Sequence, residues 1–102
     1  MKVAGFNWDK GNRAKCEKHG VSLEQIEIFF QGEVSIAPDL KHSDAEERFL
    51  AIGKSDTGKP MIVAFTLREA EEGNLIRPIS ARYMHAKEAR RYDEAFAKDE
   101  DR

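Results

Sequence analysis

The spacing of apolar residues divides the chain into helical and extended parts. It predicts three helices, over residues 8–19, 22–31 and 85–98. The second is the clearest, because four apolar residues recur at helical spacing behind Ser22, a good helix N-cap, and Gly32 follows them. The first is short and polar and ends at Gly20. The third places Ala89, Tyr92 and Phe96 on one face among charged residues.

Beyond Gly32 the apolar period shortens to that of strands. Four strands are predicted, over 34–38, 48–54, 61–68 and 75–81. The first is expected at a sheet edge because Pro38 stops it. Turn-forming residues over 55–60 and 69–74 separate the others, which favours a meander. The prediction is therefore an α+β protein with two N-terminal helices, an antiparallel sheet of three to four strands and a C-terminal helix, in the order α-α-β-β-β-β-α.

Length and composition narrow the classes of protein that fit. With 102 residues, we expect one domain over 1–102 with one modest core. The single cysteine, Cys16, excludes an internal disulfide and fits a reducing compartment. The sequence has no apolar signal core and no run of membrane-spanning length, so we expect a cytoplasmic protein without membrane contact.

The net charge of −2 argues against a generic nucleic-acid binder, but the charge is unevenly distributed. Residues 1–20 hold five Lys and Arg against two acids, whereas residues 21–76 hold five against eleven. Over 77–91 five basic residues face Glu88 alone. The two ends of the chain could therefore build a basic face on an acidic protein.

The stretch from the last predicted strand into the last helix has the most suggestive chemistry. Arg77, Arg82, Tyr83 and His85 supply two guanidinium groups, a phenol and an imidazole within nine residues. Such groups can hold a phosphodiester and move its protons without a metal ion.

Several segments resemble the BrnT family of bacterial type II toxins. They are Trp8-Asp9, Lys18-His19-Gly20-Val21-Ser22, His42-Ser43, Glu46-Glu47-Arg48-Phe49 and above all Ile79-Ser80-Ala81-Arg82. The resemblance spans nearly the whole chain in the family's order. It implies a RelE-like fold, ribonuclease activity that suppresses translation, and neutralisation by a BrnA-type antitoxin with a ribbon-helix-helix domain. It also implies that operator DNA is contacted only through the antitoxin.

Cleavage of RNA without a metal needs charge neutralisation at phosphorus and proton transfer at two oxygens. Arg68, Arg77 and Arg82 are the candidates for the first task, and surface ion pairs with nearby glutamates are the alternative. His85 and Tyr83 are the candidates for proton transfer, unless His85 only neighbours a helix cap and Tyr83 only packs on the sheet. Additional substrate contacts are expected from Lys87, Arg90 and Arg91.

Other polar residues have weaker claims. His42 precedes Glu46 and Glu47, so this loop is either a base with its partner or, as we favour, a device that pins the loop to the sheet. His19 is interpreted as a residue of the helix C-terminus, and Trp8 and Cys16 as packing residues. A metal site would need three distant histidines to converge, so neither metal nor cofactor is expected.

Three functions remain open from the sequence. The first is a ribonuclease toxin. The second is a toxin-like protein of little or no activity that binds the antitoxin and modulates repression, which the acidic balance favours. The third, a stand-alone RNA-binding module, would need a broader basic surface.

Overall fold

A computed structural model describes residues 3–42 and 46–100 of the chain, leaving aside the side chains of residues 42 and 95–100. The elements run β1 (Gly5–Phe6), α1 (Lys10–Glu17), α2 (Leu23–Gln31), β2 (Val34–Pro38), a 3₁₀ turn (Leu40–His42), β3 (Phe49–Lys54), β4 (Pro60–Ala70), β5 (Gly73–Tyr83) and α3 (Ala86–Glu100). They form one sheet in the order β1-β5-β4-β3-β2, in which only β1 is parallel to its neighbour. No helix within the described ranges is long and apolar enough to cross a membrane.

The core lies on one side of the sheet, which we call the inner face, where α2 packs. Ser22 caps α2 by accepting the Gln25 amide, and the Gln25 side chain returns the bond, so the helix begins where the sequence predicts. Phe30 then meets Phe65 of β4 edge to face, at 5.2 Å between ring centroids. Phe29, Ile26, Met61 and Val63 are fully buried beside them.

A β-bulge in β5 decides which side chains share the opposite, outer face. Ala64 pairs with Ser80 and Phe65 with Pro78, so Ile79 is an extra residue without a partner of its own. Pro78 cannot donate to a ladder, and it lies where the pairing is irregular. As a result Arg77, paired with Thr66, and Arg82, paired with Ile62, lie on the same face despite their odd spacing.

The buried side-chain amide of Asn12 joins the first turn of α1 to β5. The Asn12 side chain donates to the carbonyl oxygens of Asn7 (3.0 Å) and Pro78 (2.8 Å), and its oxygen accepts the Asp9 amide (2.7 Å). Asp9 in turn caps α1 by accepting the Asn12 amide. This arrangement holds α1 along the half of β5 that β1 does not cover.

The α+β class is confirmed, but three details of the prediction are wrong. The sheet has five strands and is mixed, not antiparallel with three to four, because Gly5–Phe6 adds a parallel strand before the first helix. α1 and α3 begin and end at different residues from those predicted, as at Lys10 and Glu17 for α1. The predicted loop over 69–74 is mostly strand, since Ala70 pairs with Gly73 across a tight turn. The edge position of β2 is confirmed.

Candidate functional site

The outer face holds a cleft of about 500 Å³ that we call the Arg82 cleft. Its polar walls come from five separate parts of the chain, and its floor from apolar residues of the three central strands. The lining residues are His19, Asp39, Arg48, Leu50, Ile62, Ala64, Ser80, Ala81, Arg82 and Glu88. The volume is that of an ordinary small-ligand pocket.

Arg82 is bound to a carboxylate at the mouth of this cleft. Its two terminal nitrogens donate to the two oxygens of Glu88, at 2.7 and 2.9 Å. The guanidinium, helped by the His85 amide, lowers the pKa of the Glu88 carboxyl to about 2, and the same hydrogen bonds raise the pKa of Arg82. Both side chains remain a little over one-third exposed, so solvent reaches the pair.

Arg77 adjoins a second cleft, of about 240 Å³, which we call the Arg77 cleft. Its guanidinium donates to the Asn7 side-chain oxygen (2.8 Å) and to Asp9 Oδ2 (2.7 Å). The Asn12 amide and then Arg77 lower the pKa of Asp9, which is also the N-cap of α1. Arg77 therefore ties the start of α1 to the sheet as well as facing a cleft. Arg48 lines both clefts and so connects them.

Arg68 lies on the same face but forms an ion pair with Glu46, which itself lines the Arg77 cleft. The carbonyl of the next residue, Glu47, accepts the hydroxyl of buried Thr66 at 2.8 Å. These contacts pin the segment before β3 to the sheet, as the structural interpretation of this loop expects. The proposed pairing of His42 with it lies outside the described side chains.

The two proton-transfer candidates from the sequence are not brought into the Arg82 cleft. Tyr83 pairs with Met61, which places it on the inner face, and Lys59 lies 5.3 Å above its ring. His85 is exposed, and its backbone amide donates to Glu88 at 3.0 Å.

The predicted substrate contacts of α3 also lie apart from the Arg82 cleft. Lys87 and Arg90 are exposed, whereas Arg91 lines a neighbouring apolar groove of about 370 Å³ with Tyr92. Burial raises the pKa of Tyr92, which agrees with its packing against the sheet.

Three residues of the site were missed or undervalued in the sequence. His19, interpreted there as part of a helix terminus, lines the Arg82 cleft. Arg48 was predicted only as the first residue of a strand, yet it lines both clefts. Asn12 was not predicted as a site residue because an asparagine inside a polar helix has no distinctive pattern. For His19 and Arg48 a signal was present in the sequence, because both lie in segments that resemble the BrnT family.

The remaining candidates pack as expected. Cys16 is completely buried, and this burial raises the pKa of its thiol to about 11. Trp8 is half-buried against the core and donates to Glu27 at 3.1 Å. Across the described part of the chain no three His, Cys, Asp or Glu side chains cluster as metal ligands would. The absence of a metal from the mechanism stays a prediction.

Fold and clefts together define a small α+β protein with arginine-lined clefts on the outer face of a mixed sheet. The family model described as the ribonuclease toxin BrnT of a type II toxin-antitoxin system matches residues 8–88. The chain therefore belongs to the BrnT family of ribonuclease toxins, and the resemblance seen in its sequence is confirmed. A family of this type implies an antitoxin partner. No curated protein matches the chain.

Proposed function

We propose that the chain is a metal-independent endoribonuclease toxin with a RelE-like fold, and that it cleaves RNA in the Arg82 cleft. The observation that supports this most is the meeting of Arg82, Arg48 and His19 around one cleft of about 500 Å³. These groups match the needs of the reaction: cationic donors for the charge that develops on phosphorus oxygens, and an imidazole, the side chain used most often for general acid–base catalysis.

Arg82 and Arg48 hold the scissile phosphate in this mechanism. Arg77, which faces the adjoining cleft, contacts a neighbouring phosphate of the same strand, and Arg68 lies further along the face. Their guanidinium groups present several donors in a planar fork that matches the geometry of a phosphate.

His19 takes the proton from the attacking ribose 2′-hydroxyl and returns it to the leaving 5′ oxygen. It ranks ahead of His85 and Tyr83 because it lines the cleft and they do not. Lys87, Arg90 and Arg91 extend the cationic track along α3 for the flanking RNA.

In the cell this activity would inhibit translation in the cytoplasm. A BrnA-type ribbon-helix-helix antitoxin would cover the clefts and neutralise the toxin, and only the antitoxin would touch operator DNA. Membership of a type II toxin family supports the existence of such a partner.

The experiment is induction of the chain without an antitoxin, followed by assays of growth and of purified protein on RNA. Arg82→Ala should lower cleavage about 100-fold, the usual effect of losing a group that stabilises transition-state charge. His19→Ala should lower it by a similar factor, about 100-fold or more, and should change the pH profile, which Arg82→Ala should not. Activity should survive a chelator if no metal takes part.

Arg13→Ala is the matched control, because Arg13 is an exposed arginine of α1 that lines neither cleft. It should leave cleavage unchanged. Full activity in a folded Arg82→Ala protein would move the reaction away from this cleft.

A non-catalytic antitoxin-binding co-repressor is the second candidate. The observation in its favour is that both Arg77 and Arg82 are paired with carboxylates, Asp9 and Glu88. Intact growth and intact RNA on induction of the unmodified chain would support this function instead.

A further inference from the structure

We propose that Glu88 occupies the phosphate position of Arg82 in the free toxin, so that RNA must displace this carboxylate to enter the cleft. The inference rests on the proposed function and adds a built-in competitor to it. Glu88 is thus an autoinhibitory residue presented by the first turn of α3.

The geometry of the pair is that of a guanidinium with a bound oxyanion. Arg82 uses one edge of its planar fork, through both terminal nitrogens, to grip both Glu88 oxygens. A phosphate would use the same two parallel hydrogen bonds. One edge cannot hold two anions in this way, so the carboxylate and a phosphate compete for it.

Glu88 is better suited to this role than to catalysis. A carboxyl whose pKa has fallen to about 2 is a weak base at neutral pH, and proton transfer is most efficient when the pKa lies near the working pH. Both oxygens are also occupied, by Arg82 and, for one of them, by the His85 amide. The carboxylate is therefore a resident anion rather than a poised base.

Displacement is structurally feasible. α3 presents Glu88 in its first turn with the carboxylate a little over one-third exposed, so the displaced carboxylate has solvent beside it. Its ion pair to the sheet beyond Glu88 joins Lys54 and Asp93 at 3.7 Å, and both side chains are more than half exposed. Glu88 also keeps a partner when Arg82 leaves, because the His85 amide at the start of α3 still donates to it.

The test measures binding of a fluorescent 2′-O-methyl RNA, which lacks the nucleophile and cannot be cleaved. Glu88→Gln should bind this RNA roughly fivefold more tightly than the unmodified protein, the fold-change that corresponds to an exposed ion pair. Glu88→Asp, which keeps the charge but shortens the reach, should fall between the two and covers the case in which Glu88→Gln does not fold.

Glu94→Gln is the matched control, since it removes the same charge from an exposed position of the same helix. Its effect should stay within about twofold, because charges in solvent are screened. In the Arg82→Ala background the Glu88→Gln change should no longer tighten binding.

The outcomes separate the two proposals. If Arg82→Ala weakens binding but Glu88→Gln behaves like Glu94→Gln, the proposal that Glu88 competes with RNA is refuted, whereas the proposal that RNA binds in the Arg82 cleft is supported. If Arg82→Ala binds as tightly as the unmodified protein, the proposal that RNA binds in the Arg82 cleft is refuted. A tightening by Glu88→Gln that persists without Arg82 would also overturn the competitor.

Discussion

Replacing Asn12 by Ala should loosen α1 from the sheet and cost about 3 kcal/mol of the free energy of unfolding. Asn12 is 5% exposed, and its side chain makes three hydrogen bonds, two of them to the carbonyl oxygens of Asn7 and Pro78. Alanine leaves these two acceptors without their donor, at about 1–3 kcal/mol each when water cannot replace it. The higher helix propensity of alanine offsets about 0.5 kcal/mol of this loss in the free energy of unfolding.

Urea and thermal unfolding followed by circular dichroism measure this loss. For a chain of this size 3 kcal/mol corresponds to a fall of roughly 15 °C in Tm. Asn12→Asp should be at least as damaging, because it turns a double donor into an acceptor facing two carbonyls. Asn74→Ala, at an exposed position of β5, is the control and should change stability by about 0.5 kcal/mol or less.

The same change should impair the site, since α1 supplies Asn12 to the Arg77 cleft and leads to His19 in the Arg82 cleft. RNA cleavage by Asn12→Ala should therefore fall under conditions in which the protein is still folded. A loss of less than about 1 kcal/mol relative to Asn74→Ala would refute the view that this amide holds α1 in place.

Three further predictions concern single residues. Gly53→Ala should cost about 1–3 kcal/mol in urea unfolding, because a Cβ there would lie 3.0 Å from the Glu33 carbonyl oxygen and 3.1 Å from the Phe29 ring; stability equal to the unmodified protein would contradict this packing. Cys16 should resist a thiol reagent at neutral pH until the protein unfolds, since it is buried with a pKa of about 11; rapid labelling of native protein would argue against its burial. Glu88→Gln should cost about 1 kcal/mol at neutral pH, a value reduced for the exposure of the pair. Because the folded pKa of Glu88, about 2, lies below its ordinary 4.5, this difference should be full above pH 4.5 and shrink as the pH falls toward 2; a difference that does not vary with pH would exclude the ion pair as its source.

Long periodic segments were predictable from the sequence, and short or irregular ones were not. α2 has a capping residue, four apolar positions and a terminal glycine, and the structure begins and ends it as predicted to within one residue. β1 has two residues, too few to show any period, and its pairing with Leu75 and Ile76 depends on distant contacts. The turn-forming residues near Gly73 concealed a tight turn between two long strands.

The site was predictable in its residue types but not in its grouping. Arg77 and Arg82 were both proposed, and both face clefts on one side of the sheet. Strand alternation alone would separate them, because five positions is an odd interval. His19 was not predicted as a site residue because its position at the end of a helix fits a structural role equally well. Only the fold brings it to the Arg82 cleft.

Because Ile79 is an extra residue without a partner, Arg77 and Arg82 share the outer face although they are an odd number of positions apart. Any chimera that exchanges part of β5 must keep, or change together, the five-position interval from Arg77 to Arg82 and the bulge within it. If only the interval or only the bulge changed, one of the two arginines would point into the hydrophobic core. Deletion of Ile79 together with its bulge would keep both arginines on the outer face, whereas deletion of any other single residue between Arg77 and Arg82, with the bulge kept, would move the remainder of the strand to the opposite face. A transplanted segment should therefore carry residues 77–82 as a block, with Ile79 and its bulge kept or removed together.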